Sequence, residues 1–305
     1  MKETYECIII GGGFAGLQAS IQLGRYKRKT LVIDSNYGRS TYCKSYRNIL
    51  GWPNGISGLQ LRELGKKQAT EYGVSFIEDK VMTVKKKDIH FEIVTEKELT
   101  FFAKTILLAT GLLDRIPDIK HIFDCLGTTI YVCPDCDGYE ISDRSVLVLG
   151  AGIAGANMAL EINYWTSKIT YINHDGEELE TDVINKLRQK GISYQKEKII
   201  EIVKDEDSNF KGITLQSGEF LLADRAFIGF GGNEIHNELA KQLGVELLNN
   251  KHVIVNPRTK ETNVPNVWSA GDLVAHSQQV TIAMGEGTQA AVWIHKRLLE
   301  CNDSL

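Results

Sequence analysis

The chain has 305 residues, of which 43% are hydrophobic and 24% are charged, and its formal net charge at pH 7 is −4. A chain of this length can bury a sizeable core and predicts about two domains. The slight acidic excess gives no electrostatic basis for binding nucleic acid, and no apolar run approaches the roughly 18 residues that a membrane-spanning helix needs. We expect a globular protein that binds neither nucleic acid nor membranes.

Six cysteines are present, at positions 7, 43, 125, 133, 136 and 301. Four of them are scattered singly, which is not the pattern of a secreted protein stapled by disulfides. The apolar start at residues 7–10 runs directly into glycines rather than into a signal-peptide cleavage site. These observations predict a cytoplasmic protein in which Cys7 is a core residue and Cys43 and Cys301 are ordinary free thiols.

The first predicted elements form a nucleotide-binding unit. Residues 5–10 read as a buried strand, and residues 11–16 (Gly-Gly-Gly-Phe-Ala-Gly) follow at once. A helix starts near residue 17, and residues 30–33 form a second strand that ends at Asp34. A Gly-x-Gly-x-x-Gly turn between a strand and a helix, followed by a strand and an acidic residue, is typical of dinucleotide binding.

The residues of this turn have separate physical roles. Gly11 allows the tight turn, Gly13 lets the backbone approach a pyrophosphate, and Gly16 packs the helix against the strand. The start of the helix presents free N–H groups to the phosphates. Asp34 lies at the spacing expected of a carboxylate that accepts a hydrogen bond from a ribose hydroxyl.

The next predicted strand leads back to the first nucleotide site, and a predicted turn after it leads away. Residues 104–111 (Lys-Thr-Ile-Leu-Leu-Ala-Thr-Gly) predict a strand that ends in a turn of small residues, which includes Thr110 and Gly111. Pro117 and Asp118 predict a further turn, because proline ends regular structure and aspartate favours turn conformations. We expect this turn to mark the crossing into a second domain.

Residues 133–139 (Cys-Pro-Asp-Cys-Asp-Gly-Tyr) carry the strongest chemical signal. Two cysteines in a Cys-x-x-Cys loop can form a bridge, and this setting can lower the pKa of one thiol so that its thiolate attacks a disulfide. The same spacing is half of a zinc site. A zinc site needs two more ligands, and Cys125, His121 and His174 are conceivable, although no second pair has zinc-like spacing.

A second glycine unit follows directly. Residues 144–149 predict a strand, residues 150–155 are Gly-Ala-Gly-Ile-Ala-Gly, a helix is expected over 156–164, and a strand over 168–172. Two such units predict two nucleotides, or one bound nucleotide and one exchanged, unless the second copy is a structural relic.

The end of this second unit bears on the choice of nucleotide. Asn173, His174 and Asp175 stand where arginines would clamp the 2′-phosphate of NADPH, and two glutamates follow. Carboxylates near this point would repel that phosphate. The second unit therefore favours NADH.

The rest of the chain continues the alternation of elements. Residues 193–223 alternate as strands do, with turns at Asn209 and at residues 217–218, and a helix from about Glu234 is expected to carry the chain back. Residues 264–272 then lead through Gly271 and Asp272 to a last helix over 281–299.

Together these motifs resemble the low-molecular-weight thioredoxin reductases and their flavin-dependent disulfide reductase relatives over essentially the whole chain. Five motifs stand in the same order: the first glycine unit, the Ala109-Thr110-Gly111 turn, Cys133-x-x-Cys136-Asp137-Gly138, the second glycine unit, and Ala270-Gly271-Asp272 with Gln279 before the last helix.

The resemblance implies two bound nucleotides. It implies that FAD is held by Gly11, Gly13, Phe14, Ala15, Gly16, Asp34, Thr110, Gly111, Gly271, Asp272, Gln279 and Val280. It implies that NADH or NADPH is held by Gly150, Gly152, Ile153, Ala154, Gly155, Asn173 and His174.

It also implies the division of labour at the cysteines. Cys136 would face the flavin, Cys133 would attack the substrate disulfide, and Asp137 would shuttle the proton, provided that burial raises its pKa towards neutrality. The alternative for Asp137 is a helix cap or a turn residue. The resemblance further implies a homodimer, and an inserted domain that rotates to present either the nicotinamide or the dithiol to the flavin.

The sequence departs from the family pattern in three places. Residues 173–175 replace the arginine run that holds NADPH, residues 277–279 read Ser-Gln-Gln where the family has Tyr-Arg-Gln, and residues 133–140 look nearer to the branch that acts on small dithiols. Three hypotheses about the function use the same flavin and dithiol. They are a nucleotide-linked reductase of thioredoxin or a similar disulfide, a dithiol oxidase or small-disulfide reductase, and a ferredoxin-linked reductase.

The expected fold is an α/β protein of two Rossmann-like dinucleotide-binding domains, the second inserted into the first. Residues 1–115 and 245–305 would form the FAD-binding domain, and residues 116–244 the nucleotide-binding domain that carries the Cys-x-x-Cys pair.

Overall fold

The computed structural model describes residues 4–300, in which two largely parallel β-sheets carry helices on their faces. In chain order, the strands are β1 (Thr4–Ile10), β2 (Thr30–Asp34), β3 (Ser75–Glu78), β4 (Val81–Lys87), β5 (His90–Thr95), β6 (Thr100–Leu108), β7 (Leu112–Leu113), β8 (Ile130–Tyr131), β9 (Val146–Gly150), β10 (Ile169–Asn173), β11 (Ser193–Gln195), β12 (Ile199–Lys204), β13 (Phe210–Leu215), β14 (Phe220–Leu222), β15 (Arg225–Gly229), β16 (Glu234–Ile235) and β17 (Val267–Ser269). The α-helices are α1 (Phe14–Arg25), α2 (Gly58–Glu71), α3 (Ile122–Cys125), α4 (Pro134–Asp137), α5 (Gly152–Ile162), α6 (Thr181–Gln189), α7 (Glu238–Gln242) and α8 (Val280–Glu300).

The first sheet has the strand order β3-β2-β1-β6-β5-β4, and β17 pairs with the carboxyl end of β6. Strands β3, β2, β1, β6 and β17 are parallel, while β4 and β5 are antiparallel. Residues 7–10 of β1 are all buried, as expected of a parallel strand that is covered on both faces. Helices α1 and α8 cover one face, and the β4–β5 hairpin and α7 contribute to the core on the other.

The second sheet has the order β11-β10-β9-β15-β8, and all of its pairings are parallel. Helices α5 and α6 bury their apolar residues against one face. The antiparallel sheet β12-β13-β14 supplies Ile199, Ile213 and neighbouring side chains to the core on the other face. The predicted α/β fold with two Rossmann-like units is therefore confirmed.

The chain passes between the two sheets at β7 and β16, which pair antiparallel to each other. The prediction of a helix from about Glu234 is wrong, because Glu234–Ile235 is a strand that pairs with Leu112–Leu113. Gly231 and Gly232, just before this strand, have positive φ angles. Helix α7 begins only at Glu238. Its residues Leu239 and Ala240 join the core of the first sheet, so the chain has already returned there before residue 245.

Other predicted boundaries differ by a few residues. Helices α1 and α5 begin at Phe14 and Gly152, inside the glycine turns, rather than after them. The last helix and the strands within residues 193–223 agree with the prediction. Cys301 lies outside the described residues. Among residues 4–300, no helix combines the length and the apolar composition that crossing a membrane requires.

Helix α8 approaches α1 closely at a glycine. A Cβ atom added at Gly287 would lie 2.1 Å from the backbone oxygen of Ala15, which is far inside van der Waals contact. Gly285, in the same helix, would meet nothing within 4 Å. Because α1 starts at the first glycine turn, this approach fixes where the nucleotide-binding end of the helix lies.

We expect the substitution Gly287→Ala to lower the free energy of unfolding by about 1–3 kcal/mol, because the new methyl group forces α1 and α8 apart. Gly285→Ala is the matched control, and it should be neutral or stabilising by up to about 1 kcal/mol, since alanine favours a helix. Chemical denaturation followed by circular dichroism measures both. Equal effects of the two substitutions would contradict the close packing at Gly287.

Candidate active site

The cysteine pair lies on a single helical turn. Cys133 follows β8 as the N-cap residue of α4, and Pro134 occupies the first helical position, where its fixed φ angle suits the helix. The backbone N–H of Asp137 donates to the carbonyl of Cys133 at 3.0 Å. The two cysteines are joined by a disulfide bond, and their Cα atoms are 5.3 Å apart. The local sequence therefore holds both sulfurs ready for disulfide exchange.

The disulfide opens on a cavity of about 930 Å³. The residues that line it include the first glycine turn and Asp34 as well as Cys133, Cys136 and Asp137. Further lining residues come from the small-residue turn after β6 and from the loop before α8; they are Ala109, Thr110, Gly111, Gly271, Asp272, Gln278, Gln279 and Val280. One cavity thus joins a dinucleotide-binding turn to a redox-active disulfide.

The first glycine turn has the backbone shape that the sequence predicted. Gly11 has a φ angle of +107°, and a Cβ atom there would lie 2.3 Å from the backbone oxygen of Ala109. At Gly13 nothing lies within 4 Å of such an atom, so the start of α1 is open to a ligand. Asp34 accepts hydrogen bonds from the backbone N–H of Gly12 (2.9 Å) and from the guanidinium of Arg62 (2.6 Å).

A partly buried arginine connects three segments at the cavity wall. Arg39 donates two hydrogen bonds of 2.6 Å to the carboxylate of Asp114, one of 2.6 Å to Gln278, and a longer one of 3.4 Å to Asp272. Burial alone would lower the pKa of Arg39. The hydrogen bonds and the charge of Asp114 have the opposite effect, and the pKa of Arg39 is raised. Burial raises the pKa of Asp272, and the neighbouring Arg39 opposes this shift.

The loop that carries Gly271 to Gln279 is anchored by an ionic cluster. Glu286 of α8 accepts hydrogen bonds from the backbone N–H of Gly271 (2.9 Å) and from Lys260 (2.7 Å), and lies 2.8 Å from Nε2 of His276. Burial alone would raise the pKa of Glu286. The hydrogen bonds from His276 and Lys260 have the opposite effect, and the pKa of Glu286 is lowered. This anchored loop contacts the redox turn, since the Gln279 side chain donates to the carbonyl of Asp135 at 3.3 Å.

Asp137 directly follows the second cysteine and lines the same cavity. Burial raises the pKa of its carboxyl group from 3.8 to about 7; the charge of Glu140 adds to the shift, and Arg47 opposes it. Glu140 is itself paired with Arg47 at 2.7 Å. Asp137 makes no side-chain capping bond to the following 3-10 turn. A carboxyl group with a pKa near neutral, beside the disulfide, meets the requirement for a proton carrier.

The second glycine unit has the predicted backbone but lies apart from the cavity, and none of its glycines lines it. Asn173 is fully buried. Its amide accepts from the N–H of Gly152 at 3.0 Å and donates to the backbone of Glu177 at 2.7 Å and to Tyr194 at 3.1 Å. The side chain of Asn173 is therefore engaged in hydrogen bonds within the protein and is not available to a ligand.

His174 is half-buried beside the same turn. Its Nδ1 atom accepts a hydrogen bond from the backbone N–H of Ile199 at 2.9 Å, which requires the ring to be neutral at that nitrogen. Burial lowers the pKa of this imidazole, and the charge of Asp175 opposes the shift. Asp175 is paired with Arg115 at 2.8 Å.

Most residues predicted for the FAD site come together around the cavity. Gly16 does not line it; a Cβ atom there would lie 1.9 Å from the oxygen of Gly11, so it serves helix packing as predicted. Sequence reasoning missed Arg39, because its partner Asp114 is remote in the chain. Cys43 is a free thiol, as predicted, but nothing in the sequence indicated that it lines the cavity near Asp137. Burial raises the pKa of Cys43 to about 12.

The remaining cysteines and histidines are dispersed. Cys7 and Cys125 are fully buried, and His121 faces Asp124 near the surface. Within the described residues, no three His, Cys, Asp or Glu side chains are gathered as metal ligands would be.

A disulfide at one end of a cavity and a dinucleotide-binding turn at the other define a nucleotide-dependent disulfide oxidoreductase. A family model described as pyridine nucleotide-disulphide oxidoreductase matches residues 5–287. The chain belongs to this family, and it is a thioredoxin-reductase-like oxidoreductase.

Individual relatives agree with this assignment. The chain is 29% identical to a thioredoxin reductase of Treponema pallidum over 300 residues, which cover 95% of this chain and 96% of the relative. It is 29% identical to the structure of the atypical thioredoxin reductase TRi of Desulfovibrio vulgaris Hildenborough, with a TM-score of 0.54 and coverage of 97% and 98%. The structure of HlmI superposes with a TM-score of 0.90 at 24% identity, over 100% of this chain and 96% of that chain, which supports the fold.

The family uses FAD together with a pyridine nucleotide, and the cavity fits FAD. Its volume of about 930 Å³ lies in the upper part of the range for cofactor sites, about 300–1,000 Å³. The open face at Gly13 suits a pyrophosphate at the start of α1, and Asp34 beside it suits a ribose. FAD bound in this cavity would share it with the disulfide, because Cys133 and Cys136 also line it.

The raised pKa of Asp137 makes a prediction for stability. Ionising a buried carboxyl group opposes folding, so its contribution to stability is full below about pH 4 and is lost as the pH rises through about 7. Relative to Asp137→Asn, the wild type should lose about 1–3 kcal/mol of unfolding free energy between about pH 5 and about pH 8.

Urea denaturation of the oxidised protein at both pH values measures this difference. Asp135→Asn is the control, because Asp135 is exposed on the same turn. It should keep the pH dependence of the wild type. A wild type that gains stability relative to Asp137→Asn on going to the higher pH would contradict the assignment.

Proposed function

We propose that the protein is an FAD-dependent reductase that passes electrons from a reduced pyridine nucleotide to the Cys133–Cys136 disulfide, and from there to thioredoxin or a similar disulfide substrate. The observation that carries the proposal is the cavity that joins the first glycine turn to the disulfide. The thioredoxin reductase names of the relatives support the choice of substrate.

The chain's own residues bind and orient the flavin. We infer that the first glycine turn holds the pyrophosphate, that Asp34 holds the ribose, and that Asp272 and Gln279 line the far part of the site. A bound flavin would supply a two-electron carrier that accepts hydride from reduced nicotinamide and reduces a disulfide. Arg39, which itself lines the cavity, keeps Asp272 and Gln278 in place.

The cysteines then carry the electron pair to the substrate. Two electrons and two protons convert the Cys133–Cys136 bridge into two thiols. We infer that the thiolate of Cys133 attacks the substrate disulfide and expels one substrate thiol, and that Cys136 attacks the mixed disulfide, expels the second and restores the bridge. Cys136 suits the inner position, because its Sγ lies 4.0 Å from the carbonyl of Gln278 in the cavity loop. Asp137 supplies or accepts the proton.

We propose NADH as the preferred donor, bound at the second glycine unit. Glu177 and Glu178 are exposed there, and the neighbouring Arg115 is paired with Asp175, so no free guanidinium is offered to a 2′-phosphate. Because this unit does not line the cavity in the present arrangement, we infer that it rotates towards the flavin when the nucleotide reacts.

The same acidic surroundings favour a second candidate function. A dithiol oxidase, or a small-disulfide reductase supplied by another donor, would use Cys133, Cys136 and Asp137 without needing tight nucleotide binding. Oxygen consumption with a small dithiol would distinguish the oxidase from the reductase.

We propose a division into an FAD domain and an inserted nucleotide domain at the two crossings. The sequence assigned residues 1–115 and 245–305 to the first and 116–244 to the second. The crossings at Leu112–Leu113 and Glu234–Ile235, together with the packing of α7 on the first sheet, support an earlier return to the FAD domain. Residues 301–305 lie outside the described part of the chain.

We also propose a cytoplasmic homodimer. The thiols of Cys7, Cys43 and Cys125 are free, which suits a reducing compartment. An apolar groove of about 530 Å³ lies between α1, α2 and the start of α8, and it includes the half-exposed side chains of Trp52 and Leu64. Such a groove suits a second copy of the chain, and sedimentation analysis would measure the association.

We expect NADH to reduce the protein-bound flavin faster than NADPH in anaerobic stopped-flow measurements, because the exposed Glu177 and Glu178 would repel the 2′-phosphate. Adding a disulfide substrate should then reoxidise the flavin in the wild type. The Cys133→Ala/Cys136→Ala double variant is the control: it should be reduced by NADH and stay reduced. If neither nucleotide reduces the flavin, the nucleotide-linked function is wrong.

The two cysteines should behave differently in a trapping experiment. A thioredoxin that keeps only its attacking cysteine, activated with thionitrobenzoate, should form a lasting mixed disulfide with Cys136→Ser, in which Cys133 remains. It should form little with Cys133→Ser, because Cys136 lies against the cavity loop. Trapping through Cys136 instead would reverse the proposed roles.

A further inference from the structure

The side chain of Glu177 lies against Gly152, the glycine that a bound nucleotide would have to approach. An added Cβ atom at Gly152 would lie 2.1 Å from Oε2 of Glu177, 3.1 Å from its Cδ and 3.3 Å from its Cβ. The corresponding position in the first unit is Gly13, and there nothing lies within 4 Å. The first turn is therefore open to a phosphate, whereas the second is covered by a carboxylate of the chain itself.

The covering is built into the turn between β10 and α6. The amide of Asn173 holds the backbone of Glu177 and the N–H of Gly152 at once, and the hydroxyl of Tyr171 donates to the carbonyl of Gly152 at 2.7 Å. Gly176, with a φ angle of +69°, turns the chain back over the glycine turn. The segment before Glu177 is thus fastened to the same glycine that its carboxylate covers.

The charges nearby do not neutralise this carboxylate. Lys196 is paired with Glu178, and Arg115 is paired with Asp175. Among residues 4–300, no lysine or arginine makes an ion pair with Glu177 itself. What faces the carboxylate is the N-terminus of α5, an 11-residue helix whose free N–H groups and dipole attract an anion.

We propose that Glu177 is a specificity-determining residue that occupies the anion site of the second glycine unit and competes there with the nucleotide. This inference rests on the proposed function, since it concerns the donor site of that reaction. A dinucleotide can bind only when Glu177 turns away, and its phosphates must then enter beside an exposed negative charge. NADPH is penalised more than NADH because it brings the additional 2′-phosphate.

The test is the affinity of the FAD-loaded protein for NADH and NADPH, measured by anaerobic calorimetry in the Cys133→Ala/Cys136→Ala background. The flavin is first reduced with dithionite, so that neither nucleotide can react with it during the titration. We expect Glu177→Gln to tighten NADH binding by ~3- to 10-fold and NADPH binding by more, since it removes the competing charge and keeps the side-chain size.

Glu178→Gln is the matched control, because it removes the same charge from the adjacent exposed position. It should change either affinity by less than about twofold. The gap between wild type and Glu177→Gln should narrow as salt rises from about 0.05 M to about 0.5 M, because screening weakens the repulsion.

Three results would overturn the proposal. Weaker NADH binding by Glu177→Gln would make this carboxylate a ligand of the ribose, and an affinity equal to that of Glu178→Gln would make it irrelevant. If no variant binds either nucleotide, Glu177 is not what excludes it and the proposal is likewise wrong. The proposed function is judged separately, by whether NADH reduces the flavin of the wild type.

Discussion

The largely buried ion pair between Arg39 and Asp114 is the contact on which the arrangement of the site depends. Arg39 follows the first nucleotide-binding strands, Asp114 lies at the crossing between the two sheets, and the same guanidinium reaches Gln278 and Asp272 in the cavity loop. Removing one partner of a buried pair typically costs about 3–5 kcal/mol, because the other charge is left without compensation. The pair therefore fixes the cavity wall relative to the segment that leads to the disulfide.

Around this wall, two simple local structures combine into a redox site. A strand followed by a glycine turn leaves the start of α1 open, and a single helical turn holds the cysteines at the other end of the cavity. The burial that this cavity provides also raises the pKa of Asp137 to about 7. The second glycine turn has the same order of strand, turn and helix, but the carboxylate of Glu177 covers Gly152. The two turns therefore differ in how open they are to a phosphate.

The sequence predicted the repeated strand–glycine–helix units and the cysteine turn because each is encoded within a short stretch, where spacing alone defines the geometry. It could not predict that Glu234–Ile235 would pair with Leu112–Leu113, because that pairing depends on segments remote in the chain. For the same reason it missed Arg39, whose partner Asp114 comes much later. Asn173 was placed correctly beside the second turn, but only the structure revealed that its amide is used internally.

We infer that the flavin and the Cys133–Cys136 disulfide exchange electrons within one chain. An anaerobic titration of the FAD-loaded protein with dithionite, followed at the flavin absorbance, is the direct test. We expect the wild type to take up two electron pairs before the flavin is fully reduced, one for the flavin and one for the disulfide, whereas Cys133→Ala/Cys136→Ala should take up one. Uptake of a single pair by the oxidised wild type would contradict it.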